Sequence, residues 1–211
     1  MPKKILAGIY GITAEKFSNG KSNIEVVREM IRGGVSVIQY REKYAHKPIR
    51  EIYEECLEIR EMTRKEGVMF IVNDFVDIAL LVDADGVHVG QDDLPVAAVR
   101  KLVGNKLIGL STHSPEQARA ALAAGADYIG VGPIFETHTK DDVCAPVGLD
   151  YLEYAAKNVP IPFVAIGGIK EHNMDEVCRR GARCVCMVTE IVGAADIAAT
   201  VRKLRDKISG A

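Results

Sequence analysis

The sequence predicts an α/β protein, a closed (β/α)8 TIM barrel of eight parallel strands. Short runs rich in β-branched residues alternate with longer amphipathic segments, and the alternation continues through 211 residues without a linker or a low-complexity stretch. Such alternation is typical of a parallel sheet whose strands are joined by helices. Eight short strands in a chain of this length favour a closed barrel over an open doubly wound sheet. We expect one domain over residues 1–211, since this length can bury a sizeable core without splitting.

Each predicted strand is a short apolar run, and each is followed by a segment with helical periodicity. In chain order the strands are Ala7–Ile12, Val35–Tyr40, Met69–Val72, Gly86–Val89, Leu107–Leu110, Tyr128–Val131, Pro162–Ile166 and Cys184–Val188. Two capping boxes, Ser22-x-x-Glu25 and Ser114-x-x-Gln117, predict helix starts, and Pro115 suits a first helical position because no N–H is needed there. Three glycines are predicted to end helices: Gly33, Gly125 and Gly181.

Composition and charge argue against several classes of protein. Lys and Arg total 27 against 29 for Asp and Glu, so no overall field favours nucleic acid or an acidic membrane. The N-terminus lacks a signal-peptide core, and no apolar stretch approaches the roughly 20 residues that span a bilayer. We therefore expect a cytoplasmic protein without a nucleic acid or membrane partner. The cysteines form no CxxC pair, which predicts free and mostly buried thiols: Cys56, Cys144, Cys178, Cys184 and Cys186.

Polar residues at the end of the second strand predict an anion site. Period-two alternation places Gln39, Arg41 and Lys43 on the same side as Val35 and Val37 if the chain stays extended. Arg can bind a phosphate with two hydrogen bonds, and Lys adds a compact charge. A solvated loop with surface ion pairs is the alternative for this triplet.

The next two strands end in acidic residues, which together predict a metal site. Asn73 and Asp74 follow the third strand, and Asp92 and Asp93 follow the fourth. Neighbouring strands of a barrel end at the same rim, and Mg²⁺ takes one or two carboxylates together with phosphate oxygens. The alternative is that these aspartates are helix N-caps, a common use at such junctions.

The fifth and sixth strands lead into further polar side chains. Ser111 could hydrogen-bond a ligand, and His113 could transfer protons, although a single histidine there is often a structural donor. The loop after the sixth strand is long, and it carries Thr137, Thr139 and Lys140 near its tip. This array could hold a second anion or close over a first, since long loops in compact domains are usually functional or mobile.

The last two strands predict a phosphate cradle without a metal. Gly167 and Gly168 let backbone amides approach an anion closely, and the eighth strand runs into Val188-Thr189. In (β/α)8 barrels the loops after the seventh and eighth strands commonly hold a phosphate. The sequence therefore predicts two anion sites, one with a metal at strands two to four and one at strands seven and eight.

Six motifs now stand in one order along the chain, and together they mark a family. They are Gln39-x-Arg41-Glu42-Lys43, Asn73-Asp74, Gly90-Gln91-x-Asp93, Ser111-x-His113, Gly132-Pro133-Ile134-Phe135 with Thr137-x-Thr139-Lys140, and Gly167-Gly168-Ile169. With this set the chain resembles the thiamine phosphate synthase family from about Ile9 to Ile191. The resemblance implies a (β/α)8 barrel that joins hydroxymethylpyrimidine diphosphate to thiazole phosphate, or its carboxylate, and releases pyrophosphate with Mg²⁺.

The resemblance also implies a role for each matching residue. The pyrimidine diphosphate would be bound by Gln39, Arg41, Glu42, Lys43, Asn73, Ser111 and Lys140. The thiazole phosphate would be bound by Thr137, Thr139, Gly168, Val188 and Thr189. Asp74 and Asp93 would hold Mg²⁺, a choice between Asp92 and Asp93 that spacing alone leaves open. The catalytic group would be Arg41, Lys43, Lys140 and Ser111.

The implied reaction begins with cleavage of the C–O bond to diphosphate, and the thiazole nitrogen then captures the pyrimidine-methyl cation. Three positions depart from the family pattern: Ala14 in place of aspartate, Glu136 in place of proline, and Thr189-Glu190 in place of Ser-Ala. A thiazole tautomerase-like relative using His113, a phosphosugar isomerase or epimerase, and a binding protein without turnover are the alternatives. Amphipathic helices over residues 52–63 and 197–208 would suit solvent or a partner subunit, so a homo-oligomer stays open.

Overall fold

A computed structural model of the chain, which describes residues 6–42, 47–139 and 144–209, has eight parallel strands in one closed barrel. The strands pair in sequence order, and the first closes the barrel on the last, with Gly8 opposite Cys184. They are β1 (Gly8–Ile12), β2 (Val37–Tyr40), β3 (Met69–Asn73), β4 (Gly86–Val89), β5 (Leu107–Thr112), β6 (Tyr128–Val131), β7 (Phe163–Ile166) and β8 (Cys184–Cys186). The predicted fold class and strand number are confirmed.

Helices follow the strands and cover the outside of the barrel. They are α1 (Asn23–Gly33), α2 (Ile49–Glu66), α3 (Val76–Leu81), α4 (Val96–Val103), α5 (Pro115–Ala123), α6 (Gly148–Asn158), α7 (Met174–Arg179), α8 (Val188–Val192) and α9 (Ile197–Ser209). A short 3₁₀ helix, Glu15–Phe17, lies between β1 and α1. In the part of the chain that the structure describes, no helix combines the length and the apolar character needed to cross a membrane.

Two apolar layers stabilise the barrel, and the alternation of strand residues decides which layer each side chain joins. The larger layer lies between strands and helices. The smaller fills the barrel interior and includes Tyr10, Val37 and Tyr128. Burying each large apolar side chain contributes about 1.5–3 kcal/mol. Val35 and Val37 were predicted to share one side, but Val37 faces the interior while Val35 packs in the outer layer, because Val35 precedes β2 and the alternation begins only within the strand.

The helix signals are confirmed in part. Ser22 and Glu25 form the predicted capping box at α1. Ser114 caps α5 and Pro115 is its first residue, but the Gln117 side chain accepts a hydrogen bond from the backbone N–H of His113 at 2.7 Å instead of from that of Ser114. This second motif is therefore a cap without the reciprocal bond, and the capping-box prediction was wrong there.

The predicted helix ends hold for two of three glycines. Gly125 and Gly181 have positive φ angles of 86° and 102° just beyond α5 and α7. At α1 the left-handed residue is Gly34, with φ 90°, whereas Gly33 is the last helical residue. A Cβ on Gly33 would lie 2.5 Å from Cβ of Val201 in α9, so the glycine there permits close packing of two helices.

The cysteines are all free thiols, as predicted. Cys56, Cys184 and Cys186 are buried, Cys178 is half-buried and Cys144 is exposed. Burial raises the pKa of Cys184 to about 12, which keeps this thiol protonated and unreactive at neutral pH.

Candidate active site

The predicted site residues that the structure describes lie at or beyond the carboxyl ends of the strands. Because all eight strands are parallel and closed into one barrel, the loops that follow them share one rim, which is where (β/α)8 enzymes carry their chemistry. Two predicted cations, Lys43 and Lys140, lie outside the described residues.

The backbone of Arg41 is held by the end of the neighbouring strand β1. The buried Thr13 hydroxyl accepts a hydrogen bond from the Arg41 N–H at 2.8 Å and lies 3.3 Å from the Arg41 carbonyl oxygen. Thr13 also donates its own N–H to the Gln39 carbonyl at 3.0 Å. Within the described residues, no carboxylate pairs with the Arg41 guanidinium. A charged guanidinium on a fixed backbone is suited to bind an anion at the rim.

Glu42 contacts a polar cluster at the base of the same loop. Its Oε1 accepts a hydrogen bond from Nδ2 of buried Asn23 at 3.0 Å, and the same amide lies 3.1 Å from Glu55. Lys47 pairs with Glu55 at 2.6 Å and with Glu15. Burial alone would lower the pKa of Lys47, but its hydrogen bonds with Glu15 and Glu55 raise it above the usual value, so the ammonium stays charged. The cluster joins the loop after β2 to α1 and α2.

The two predicted metal ligands follow adjacent strands and do not cap helices. The residues at the cap positions of α3 and α4 are Phe75 and Pro95, and neither helix has a side-chain cap. The cap alternative for the aspartates is therefore wrong. Asp74 has a φ angle of 62°, and its N–H donates to the His88 carbonyl across the β3–β4 pair at 2.9 Å. Left-handed backbone at a residue other than glycine is strained, and such strain is often kept at functional sites.

Asp93 is held by its own loop. Its Oδ2 accepts a hydrogen bond from the Gly90 N–H at 2.7 Å. Across the described ranges, no group of three or more His, Cys, Asp or Glu side chains is arranged to hold a metal ion by itself. Two carboxylates from paired strands, β3 and β4, nevertheless suit Mg²⁺, which usually completes its shell with phosphate oxygens and water.

A chain of hydrogen bonds crosses the barrel interior and joins two predicted pyrimidine ligands. Buried Gln39 donates from Nε2 to the Tyr10 hydroxyl at 2.9 Å, and this hydroxyl lies 3.0 Å from that of Tyr128. The Tyr128 hydroxyl lies 3.0 Å from Nδ1 of His88, whose Nε2 lies 3.0 Å from Oγ of Ser111. Gln39 on β2 and Ser111 on β5 are thereby connected.

Sequence reasoning missed the three middle members, Tyr10, His88 and Tyr128. The available signal was a polar group inside an otherwise apolar strand, most clearly His88 between two valines in β4. Buried polar groups are almost always hydrogen-bonded, so several of them in neighbouring strands indicate a network. Asn73, the remaining predicted ligand on this side, is buried and lies opposite His88 in the β3–β4 register.

On the other side of the rim, the loops after β6 and β7 are in close contact. The Phe135 N–H donates to the Gly167 carbonyl at 2.9 Å. Gly168 has φ 64°, and a Cβ there would lie 2.5 Å from the Glu136 carbonyl oxygen. The hydroxyls of Thr137 and Thr139 are 3.1 Å apart. Glycine at position 168 is therefore required for the packing that brings the threonine loop to the β7 loop.

Val188 and Thr189 begin the short helix α8, whereas the sequence analysis placed Val188 in the strand. Their amides are therefore among the first N–H groups of a helix, which have no partner within it. Lys170 of the β7 loop was missed by the sequence analysis. Its Nζ donates to the Thr189 hydroxyl at 2.9 Å and pairs with Glu190 at 3.1 Å. A cation directly after the glycine pair was the signal for it.

Comparison with known proteins identifies the family. Residues 9–191 match the family model described as thiamine monophosphate synthase. The chain belongs to the thiamine monophosphate synthase family. It is 69% identical over 204 residues to the thiamine-phosphate synthase of Pelotomaculum thermopropionicum, which covers 96% of this chain and 93% of that relative. The solved thiamine phosphate pyrophosphorylase from Pyrococcus furiosus superposes with a TM-score of 0.89 at 37% identity, covering 97% of this chain and 96% of that one.

Membership in the thiamine monophosphate synthase family makes the protein a transferase of thiamine biosynthesis and confirms the predicted resemblance. A solved 3-hexulose-6-phosphate synthase also superposes, with a TM-score of 0.67, covering 95% of this chain and 99% of that one. At 20% identity that likeness shows a common fold alone.

The three departures from the thiamine monophosphate synthase pattern have local explanations. Ala14 is buried in the outer apolar layer. The Glu136 side chain is 82% exposed and lies 3.7 Å from that of His138, on the solvent side of its loop. Glu190 pairs with Lys170 and accepts a hydrogen bond from the Glu171 N–H at 3.2 Å. Each departure thus has a structural partner.

His113, which the tautomerase alternative needs as a proton-transfer group, makes a structural hydrogen bond. Its Nδ1 lies 2.6 Å from the carbonyl oxygen of Gly132. A carbonyl oxygen can only accept, so Nδ1 carries a proton and donates it there. This geometry supports the reading of His113 as a structural donor that joins the β5 and β6 loops.

Proposed function

We propose that the protein condenses hydroxymethylpyrimidine diphosphate with thiazole phosphate, or its carboxylate, to thiamine phosphate in an Mg²⁺-dependent reaction that releases pyrophosphate. Family membership supports the reaction class. The observation that carries the substrate assignment is the division of the rim into two parts. Arg41, Asp74 and Asp93 follow β2, β3 and β4, whereas Thr137 and Gly168 lie in the contacting loops after β6 and β7.

In this proposal, the pyrimidine ring binds between Gln39 and Ser111, the two ends of the interior hydrogen-bond chain. The diphosphate extends toward the β2–β4 side of the rim, where Asn73 and the Arg41 guanidinium lie, with Lys43 and Lys140 as further cations. Glu42 acts from the base of this loop through its hydrogen bond with Asn23. The thiazole phosphate binds at Thr137, Thr139, Gly168 and the amides of Val188 and Thr189.

Asp74 and Asp93 would hold Mg²⁺, and the bound ion would neutralise charge on the diphosphate. Their placement after paired strands, outside the N-cap positions of α3 and α4, supports this assignment. The site serves small molecules, and we place the enzyme in the cytoplasm without a nucleic acid or membrane partner.

The chemistry requires little covalent participation by the protein. The C–O bond between the pyrimidine methylene and the diphosphate breaks, and its electron pair leaves with the diphosphate. The thiazole nitrogen lone pair then forms the new C–N bond to the methylene cation. Arg41, held by Thr13, stabilises the departing charge, because preorganised cations cost no reorganisation during the reaction. The two parts of the rim supply the close positioning of both substrates.

The test is to measure pyrophosphate release and thiamine phosphate formation from the two substrates, with and without Mg²⁺, in wild-type protein and in Asp74→Asn and Asp93→Asn variants. We expect metal-dependent formation of both products and a loss of roughly 10²–10³-fold in rate in each variant, since each loses one charged contact. Asp92→Asn is the matched control, because Asp92 is an exposed carboxylate beside Asp93, and its rate should stay within about twofold of wild type.

Failure of wild-type protein to form either product would refute the synthase assignment. Binding of thiazole phosphate without turnover would then favour a tautomerase-like relative or a binding protein. Normal Mg²⁺-dependent rates in Asp93→Asn would instead refute the metal assignment and leave the reaction in place.

A further inference from the structure

We propose that Tyr10 and Tyr128 are positioning residues for recognition of the pyrimidine ring: Tyr10 fixes the orientation of the Gln39 amide, and Tyr128, acting through His88, makes Ser111 a hydrogen-bond donor toward the ring. This inference rests on the proposed function, since it concerns recognition of the pyrimidine substrate. None of the three residues needs to touch the ligand. They act through the hydrogen-bond chain that joins the two ends of the ring-binding site.

The direction of the chain follows from its first bond. The Gln39 Nε2 group can only donate, so the Tyr10 oxygen accepts from it. Each tyrosine hydroxyl has one proton, and the Tyr10 proton is satisfied if it is donated to Tyr128, 3.0 Å away. The opposite direction would leave the Tyr10 proton without an acceptor among the described residues, in an interior where an unsatisfied donor is strongly disfavoured.

The surroundings of the Tyr10 hydroxyl agree with this direction. Burial raises the pKa of Tyr10 well above its usual value, and the neighbouring Tyr128 raises it further. The bond from Gln39 lowers the pKa of Tyr10. An oxygen that donates to Tyr128 and accepts from Gln39 has this pattern, and both hydroxyls keep their protons at neutral pH.

The remaining bonds then have one consistent arrangement. Tyr128 uses its proton to donate to Nδ1 of His88, which must therefore be unprotonated at Nδ1. A neutral histidine with this tautomer carries its proton on Nε2 and donates it to the Ser111 oxygen. Ser111 is left with its own proton to donate to a ligand. At the other end, the bond from Nε2 to Tyr10 fixes the orientation of the Gln39 amide, which keeps its Oε1 as an acceptor and one N–H of Nε2 as a second donor.

The barrel leaves specific room for this chain at Gly109 of β5. A Cβ at Gly109 would lie 2.2 Å from Cζ of Tyr128 and 2.4 Å from Nδ1 of His88. Any larger residue would push these two side chains away from their hydrogen bond. At neighbouring Gly130 a Cβ would lie 3.5 Å from Cε1 of His88, an ordinary van der Waals contact. Gly109 is therefore the glycine that accommodates the bond between Tyr128 and His88.

The arrangement favours a ring of complementary polarity. The Oε1 acceptor of Gln39 and the donor hydroxyl of Ser111 match a heterocycle that offers an amino donor and a ring-nitrogen acceptor, as the aminopyrimidine ring of thiamine does. A ring with an oxo group in place of the amino group presents an acceptor in place of that donor and carries a proton on a ring nitrogen. A site that hydrogen-bonds a ligand through buried polar groups discriminates strongly against such a mismatch.

The experiment compares equilibrium binding of hydroxymethylpyrimidine diphosphate with binding of its oxo analogue, in the presence of Mg²⁺, by calorimetry. Wild-type protein should prefer the amino ring by about 100-fold or more. In Tyr128→Phe the link between Tyr10 and His88 is broken, so His88 can adopt either tautomer and Ser111 can donate or accept. The amino-to-oxo preference should fall about tenfold, which corresponds to loss of one hydrogen bond of fixed direction.

Tyr10→Phe acts at the other end of the chain, because Gln39 loses the acceptor that orients its amide and can then turn either amide group toward the ring. The amino-to-oxo preference should fall in this variant too, so the test survives if one variant does not fold. Tyr151→Phe is the matched control, because the Tyr151 hydroxyl is also buried and donates to Thr112 at 2.6 Å, outside the chain. It should keep the wild-type preference. A further readout is the KM of thiazole phosphate in turnover, which should stay within about twofold in all three variants, since a general loss of structure would change both substrates.

The outcomes separate this inference from the proposed function. An unchanged amino-to-oxo preference in both Tyr10→Phe and Tyr128→Phe would overturn the inference, whether or not the enzyme makes thiamine phosphate. Wild-type protein that binds both rings equally would overturn it as well. If wild type prefers the amino ring but forms no thiamine phosphate, the synthase proposal fails while the role of the chain in ring recognition stands.

Discussion

Glu136 and Thr137 are neighbours in the loop after β6, but their side chains have different surroundings. The Glu136 carboxylate is 82% exposed and approaches only the exposed His138 among the described residues, whereas the Thr137 hydroxyl contacts that of Thr139. Alternation along an extended segment accounts for the difference. An acidic residue is thus tolerated beside two threonines that we assign to a phosphate.

Substitutions at Glu136 and Thr137 should show that the threonine binds the thiazole phosphate and that the exposed carboxylate does not affect its binding. Glu136→Gln should leave the KM of thiazole phosphate within about twofold of wild type, because water screens an exposed carboxylate. Thr137→Val should raise that KM about tenfold, since one hydrogen bond to a charged group contributes roughly 1.5–3 kcal/mol. Steady-state kinetics with thiazole phosphate varied at saturating pyrimidine diphosphate provides the measurement. A marked drop of KM in Glu136→Gln would show that the carboxylate repels the phosphate.

Individual residues also differ in how well the sequence predicts their positions. Asp74 and Asp93 could be placed at one rim because each directly follows an apolar run. Tyr10, His88 and Tyr128 could not be joined in advance, because their contacts depend on the barrel's stagger and on the space beside Gly109. Residues close in space but distant in sequence, such as Tyr10 and Tyr128, meet only after the barrel closes.

Among the elements, the β7 loop with its paired glycines determines how close two rim loops can come. Gly167 and Gly168 have φ angles of 98° and 64°, and both contact the backbone of the β6 loop. Ile134 and Phe135 donate their N–H groups to the Ile166 and Gly167 carbonyls, at 3.0 Å and 2.9 Å. The pair was predicted from sequence as an anion cradle, but its packing against the neighbouring loop was not, because no pattern in one loop specifies the approach of another.

Comparing alanine at Gly168 with alanine at Gly67 should separate the stability lost through loop packing from that lost through backbone strain. Alanine at a left-handed position costs roughly 1–2 kcal/mol at any site. At Gly168 its Cβ would also meet the Glu136 carbonyl oxygen at 2.5 Å, adding about 1–3 kcal/mol. Gly67→Ala is the matched control, because Gly67 has φ 69° and a Cβ there would meet no atom within 4 Å.

Denaturant unfolding of both variants, together with the KM of thiazole phosphate, provides the measurement. Gly168→Ala should lose more stability than Gly67→Ala and should raise the KM, whereas Gly67→Ala should leave the KM unchanged. Equal stability losses and equal KM values would contradict the close approach of the two loops.

The ends of the strands and helices are also harder to predict from the sequence than their centres. The strands were predicted within about two residues, because hydrophobic runs mark their centres more clearly than their ends. Val188 was assigned to β8 because it continues an apolar run, but the chain turns into α8 after Met187. Helix α5 likewise begins at Pro115 as predicted, while its Gln117 side chain bonds one residue earlier than a capping box requires.

In the whole molecule, the closed barrel is separate from the residues that we assign to the metal. The strands pair around the complete ring, and two apolar layers fill its inside and outside. Asp74 and Asp93 follow strands, and the N-cap positions of the next helices are Phe75 and Pro95. The site is therefore assembled by the barrel, and the barrel does not need a metal to close. This separation could be anticipated from the sequence, since a (β/α)8 fold carries its chemistry on loops beyond the sheet.

Thermal unfolding tests this separation. Addition of a chelator to protein without substrate should leave the midpoint unchanged, because the folded state gains nothing from a metal held by two carboxylates alone. Mg²⁺ with pyrophosphate, the proposed product, should raise it, because a ligand at 100 times its Kd stabilises the folded state by about 2.7 kcal/mol. For a chain of this size that corresponds to roughly 5–10 °C.

Two kinds of control accompany this measurement. Pyrophosphate without Mg²⁺ should raise the midpoint much less. Asp93→Asn should lose most of the Mg²⁺-dependent rise in the midpoint, whereas Asp92→Asn should keep it. A midpoint that falls on chelation would show that a bound metal supports the fold. An Asp93→Asn variant that responds as wild type does would show that the metal is held elsewhere.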